Sequence, residues 1–189
     1  RAVLRSRRPL RTRAYDIESE WFDTRHSNRL RFDFLNRPPE ERKRFVQDAV
    51  AGGSVPERYM RELCRVAGDG TGRIEVQTDK AVEFSDVAPR EGGGGMVNEE
   101  AFDHVVLATG APNAPLRLPL YRQVAEEFGA PVLGGLPHVD ASLRWAEGED
   151  IFVMGASAVL ELGPGALNLM GAMRGARIVA SELRDLMWS

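Results

Sequence analysis

Two short apolar runs constrain the fold of this chain more than anything else in it: "HVVLA" at residues 104–108 and "IFVMG" at 151–155. Each closes on a turn of small residues. A strand with one wet face alternates apolar and polar residues, whereas an unbroken run is what a strand buried on both faces requires. Such burial needs helices on both sides of the sheet. The second run leads through "ASAVLELG" into "PGALNLMGAMRGARIVASELRDLM", a long helical stretch. Pro164 stands where a first helical turn tolerates it. Ala166, Gly171, Ala172, Gly175 and Ala176 give that helix a face for close packing. Buried strands feeding helices predict an α/β architecture with a mainly parallel sheet.

The first half reads differently. Residues 16–39 are aromatic and charged, with Trp21, Phe22, Phe32, Phe34 and Leu35, and Pro38-Pro39 interrupts any regular element there. "PEERKRFVQDAV" predicts a short helix that stops before Gly52-Gly53. Ser54 with Glu57 three residues on is a capping-box pattern, and Val55, Tyr59, Leu63 and Val66 follow at helical spacing. "RIEVQT" and "AVEFSDV" alternate like strands with one wet face, with Asp79-Lys80 as the turn between them. "GDGTG" is a turn, "REGGGG" a flexible loop, and "YRQVAEEFG" a helix that Gly129 stops. The expected organisation is a basic, flexible segment at 1–15, an α+β segment at 16–100 and an α/β body at 101–189.

Charge and length set the functional bounds. A chain of 189 residues suits one medium domain or a domain with an appendage. The formal net charge of −3 argues against a dedicated nucleic-acid binder, and no apolar run reaches the roughly 18–20 residues that span a bilayer. Cys64 is the only cysteine, so an intrachain disulfide or cysteine-based zinc site is excluded. His26, His104 and His138 lack metal-ligand spacing. Six arginines and no acid occupy the first thirteen residues. That start fits the basic, acid-poor part of an organellar transit pattern, a surface-binding arm or a solvated segment. The expected compartment is the cytoplasm, or an organelle if the basic start belongs to a targeting segment.

Ligands of open α/β sheets bind outside the carboxyl ends of the strands. Both runs deliver glycine there, Gly110 and Gly155, where a backbone can bend sharply and approach a ligand without a Cβ in the way. A helix opening at Pro164 offers free N–H groups and a positive dipole end to an electron-rich group. Together these suit a large flat cofactor carrying phosphates. Taken singly, the same glycines are explained by tight strand–helix turns.

"FDHVVLATG" resembles the strand-plus-ATG motif of flavoproteins with two dinucleotide-binding parts. "DIFVMGASAVLELGPGALNLMGAMRGARIVA" is similar to the closing segment of their FAD domain. With "LPLYRQVAEEFGAPVLGGLPHVDASLRW" between them, the match is to FAD/NAD(P)-binding proteins related to the lysine and ornithine N-hydroxylases, over residues 101–179. The resemblance implies the C-terminal part of a Rossmann-like FAD-binding domain, with FAD as cofactor and NAD(P)H as reductant. It implies an oxidoreductase, with a monooxygenase as one form, acting on an unidentified small molecule. Ala108, Thr109 and Gly110 would turn the chain near the cofactor. Gly155, Ala156 and Ser157 would lie beside the ribityl or pyrophosphate portion, and Gly163, Pro164 and Gly165 would open the helix facing the flavin pyrimidine edge. Asn168 is either at the cofactor or a packing residue.

Two positions depart from the pattern. Ala156-Ser157 replaces the acidic residue that many flavoproteins carry there, and the chain contains no GxGxxG, the fingerprint that cradles the pyrophosphate. The expected explanation is a βαβ unit upstream of Arg1. Two alternatives accompany this reading. One is a non-catalytic remnant that keeps the fold without the cofactor. The other is an α/β-hydrolase using Ser157 in "GASAV", with His138 and Asp140 as imagined partners, although Val159 replaces the second glycine of the elbow.

Overall fold

In this computed structural model, which describes residues 1–50 and 54–188, the chain is a mixed α/β protein. In chain order the elements are β1 (Ala2–Ser6), β2 (Arg11–Thr12), α1 (Thr24–Leu35), α2 (Pro39–Ala49), β3 (Ser54–Val55), α3 (Glu57–Ala67), β4 (Ile74–Thr78), β5 (Val87–Pro89), β6 (Gly95–Val97), β7 (Glu100–Phe102), α4 (Pro119–Glu127), β8 (Val132–Leu133), β9 (Leu136–Pro137), α5 (Val159–Leu162) and α6 (Leu169–Trp188). They divide into two units, one of Arg1–Asp16 with Gly52–Ala111 and one of Ile17–Ala51 with Pro112–Ser189. This division cuts across the expected boundaries at 15 and 100.

In the first unit, β1 pairs in parallel with β4, from Ala2 opposite Ile74 to Ser6 opposite Thr78. β2 pairs in parallel with β3, and β5, β6 and β7 form an antiparallel meander. The arginine-rich start is therefore not a flexible arm throughout. Two of its charges are compensated across strands: Arg1 pairs with Glu75 and Arg5 with Glu100 at 2.6 Å, and Arg5 also donates to Gln77 at 3.0 Å. The expected hairpin around Asp79-Lys80 is absent, because β4 takes β1 as its partner. Only the end of "AVEFSDV" is extended, where β5 starts, after a 3₁₀ turn at Phe84–Asp86. The "REGGGG" loop joins β5 to β6, with Gly92, Gly93 and Gly94 all at positive φ. α3 begins at Glu57 with Pro56 at its N-cap, and Ser54 belongs to β3, so the helix starts two residues later than the expected cap at Ser54. Gly52 and Gly53 lie outside the described residues.

The run at 104–108 forms no strand. A strand exists only through ladder hydrogen bonds to a neighbour, and among the described residues no backbone hydrogen bond reaches 104–109. Val106 is 87% exposed instead of buried on both faces.

The second unit holds the main core. Asp23 caps α1, its carboxylate accepting the Arg25 N–H at 2.9 Å; this helix carries the aromatic stretch that the sequence left unassigned. Trp21, Phe34 and Phe45 pack ring against ring, with centroids 5.8–6.3 Å apart. Around them lie Val46, Leu143, Leu160 and Leu162, all buried. Trp145 is a second anchor, its Nε1–H donating to Pro131 O at 2.7 Å and its ring 5.6 Å from Tyr121. α4 ends where foreseen, with Gly129 at φ 62°.

"IFVMG" is not a buried strand either. It makes one antiparallel bridge, Phe152 to Arg144, while the Trp145 N–H reaches Ile151 O and the Val153 N–H reaches Leu143 O. Its partner is the adjacent segment across a short turn, so the run closes a local hairpin instead of joining a parallel sheet.

Candidate functional site

The residues singled out from the sequence fall in both units, and each group is described within its own. In the first unit, the extended segment 104–109 and β1 line a cavity of about 540 Å3. Val3, Leu4, Val87, Val97, Phe102 and Val105 make its lining largely apolar, and Ala108 and Thr109 line it too. Its one arginine, Arg5, is already neutralised: the guanidinium bonds Glu100 and Gln77 and lies 5.6 Å from the Phe102 ring centroid. Such a space accepts a flat apolar body, with the Glu83 carboxylate and the His104 ring also on its lining. Gly110 follows at φ 69°, in the left-handed region that favours glycine.

In the second unit, Gly155, Ala156 and Ser157 form a 3₁₀ turn, Gly155–Ala158, that leads straight into α5. Gly155 has φ 62°. The Ala156 carbonyl accepts from Asn113 Nδ2 at 2.8 Å, and Ser157 Oγ accepts from the Tyr121 hydroxyl at 2.9 Å. Among the described residues, no hydrogen bond joins Ser157 to His138 or Asp140. His138 donates its backbone N–H to Pro131, and Asp140 accepts from the Ser142 and Arg144 backbone N–H groups.

Gly163 ends α5 at φ 77°, with a Cβ direction 3.3 Å from Trp21 Cζ3. Pro164 and Gly165 do not start the long helix. They belong to a separate 3₁₀ turn, Pro164–Leu167, and α6 begins at Leu169. The reason is Asn168, whose Oδ1 accepts from the N–H groups of Met170 at 3.0 Å and Gly171 at 3.3 Å. An asparagine in extended backbone with that bonding is an N-cap. Asn168 is thus neither a packing residue nor free to face a ligand with its oxygen. The small-residue face is partly as expected: Gly171 and Gly175 are buried, and a methyl on Gly171 would run into the Gly165 carbonyl, but Ala176 is exposed.

No family model matches this chain, and no curated protein or solved structure matches it. The site therefore rests on its own geometry. Val3 and Leu4 were missed from the sequence because four of the first eight residues are arginine, which hid the strand. Asn113 and Tyr121 were missed because nothing in spacing ties them to 156–157. Among the described residues no group of His, Cys, Asp and Glu could hold a metal, and no helix is long and apolar enough to cross a membrane.

Proposed function

We propose that this chain is the C-terminal part of a Rossmann-like FAD-binding domain in an FAD-dependent oxidoreductase that uses NAD(P)H, with a monooxygenase as one form. The observation that carries the reading is the placing of backbone turns. Gly110 and Gly155 adopt positive φ, at 69° and 62°, and each has open space in its Cβ direction, so each backbone can be approached closely by a ligand. The largely apolar cavity beside Ala108 and Thr109 adds space for an aromatic ring system. Bound flavin would supply the hydride and oxygen chemistry. Of the chain's own residues, 108–110 and 155–157 are the ones left to bind it, because Gly163 faces Trp21 and Pro164 is buried. With no GxGxxG in the sequence, these residues fit the flavin body better than its pyrophosphate.

The non-catalytic remnant is the second reading, favoured by the unpaired segment 104–109 and by Asn168 being committed to its cap. Purified protein passed through gel filtration with added FAD separates the two. The oxidoreductase reading expects flavin absorbance to co-elute and the melting temperature to rise with FAD. Colourless protein whose melting temperature ignores FAD would overturn it.

A further inference from the structure

The run at 104–109 and the outer edge of β1 are two backbone edges without partners that line the same cavity. In β1 the Ala2 N–H donates to Arg73 O at 2.7 Å, and Ser6 O accepts the Lys80 N–H at 3.1 Å. Backbone groups of alternate residues point to opposite edges of a strand. Ala2, Leu4 and Ser6 therefore face β4, and Val3 and Arg5 turn their N–H and C=O groups away from it. Among the described residues no backbone hydrogen bond outside the β1–β4 pair reaches Val3 or Arg5, and none reaches 104–109. Val3, Arg5 and all of 104–109 line the cavity. Two rows of unmet donors and acceptors on one cavity are satisfied together by another strand laid between them.

The run at 104–109 is suited to be that strand for a second copy. No Asp, Glu, Lys or Arg occurs from 104 to 116, so like charges do not hold two copies apart. The run also has no lysine or proline of the kind that keeps an edge from pairing, and Val106 and Leu107 are exposed. Antiparallel pairing centred on Val106 sets Val106 opposite itself, Val105 opposite Leu107, His104 opposite Ala108 and Asp103 opposite Thr109. The two Asp103 carboxylates then stand at opposite ends, and no like charges face each other.

We propose that two copies of this chain exchange their 104–109 runs, each lying between β1 and the run of the other. Under one two-fold axis the order becomes β4, β1, the partner's run, the chain's own run, the partner's β1 and the partner's β4. That is one continuous six-stranded sheet in which both runs and both inner edges of β1 are paired. The exchange ends at the Gly110 turn, whose open side stays available to the flavin reading. The test is light scattering after gel filtration of the whole chain, without flavin, over a series of concentrations. Wild type is expected to pass from one chain mass to two and to stop there. Val106→Lys sets two ammonium groups face to face at the axis and weakens association by about tenfold or more. Its far-UV spectrum stays that of wild type, because Val106 is exposed. Antiparallel partners stand about 4.5–5.5 Å apart at Cα, within disulfide reach. Val106→Cys in a Cys64→Ser background is therefore expected to cross-link on mild oxidation, whereas Tyr59→Cys, exposed on α3, does not. A wild type that stays monomeric, a dimer that Val106→Lys leaves intact, or no cross-link through Val106→Cys would overturn the proposal. So would a mass that climbs past two chains, the mark of open edge-to-edge pairing. Flavin takes no part in these measurements, so their failure is separate from that of the FAD reading.

Discussion

At the scale of single residues, Glu161 is the most informative. It is the only acid among the buried polar residues described, and burial holds its carboxyl above the ordinary glutamate range against the opposing pull of Arg42 and Arg31. The folded chain therefore keeps this proton to higher pH than the unfolded chain does. Its effect on stability falls as pH rises from the ordinary value of 4.5 through the folded one. Asp23, Glu62, Asp69 and Glu75 act the other way: hydrogen bonds lower their values, so what they add is lost only as pH drops through the acid range. The two effects have opposite sign with pH. Urea unfolding at about pH 5 and about pH 7 should show wild type losing stability with rising pH and Glu161→Gln losing less. Equal slopes would show that Glu161 is not the cause. Arg42 stays satisfied in that variant by its three carbonyl acceptors.

At the scale of elements, the cap on α6 is the clearest case of local chemistry setting a boundary. Asn168→Ala removes the acceptor for two N–H groups and should cost about 1 kcal/mol, read as a lower denaturation midpoint. Asn168→Asp should retain most of that stability. An alanine variant as stable as wild type would mean that the helix start is held by packing alone. The same position shows how far the sequence could be read. Pro164 was a valid start signal, but an asparagine four residues on was a stronger one, and the choice depended on which backbone was extended. Helices α2, α3 and α4 were legible because apolar spacing, first-turn prolines and a terminal glycine are local properties. The runs at 104–108 and 151–155 were not, because an apolar run states only that burial is favourable. It does not say which strand, if any, will lie alongside. α1 was hidden by its mixture of charges and aromatics, although Asp23 before Thr24 was a readable cap. Of the candidate site residues, the left-handed glycines were the readable part; the lining from β1 was not.

At the scale of the whole molecule, neither unit is a continuous piece of chain. The second draws Trp21, Phe34 and Val46 from its first stretch, and Leu143, Trp145, Leu160 and Leu162 from its last. Residues 112–189 expressed alone would lack the aromatic cluster that covers Gly163 and α5. They should give a disordered far-UV spectrum and poorly dispersed amide resonances. A cooperative thermal transition in that fragment would show that the last stretch carries a core of its own. The interleaving also has a meaning for the protein during its synthesis. Phe34 leaves the ribosome roughly 125 residues before Val159, a wait on the order of ten seconds at ordinary elongation rates. Through that interval the nascent chain holds out Trp21, Phe34 and Phe45 with their covering segment not yet made, and a chaperone able to hold aromatic surface has its opportunity then.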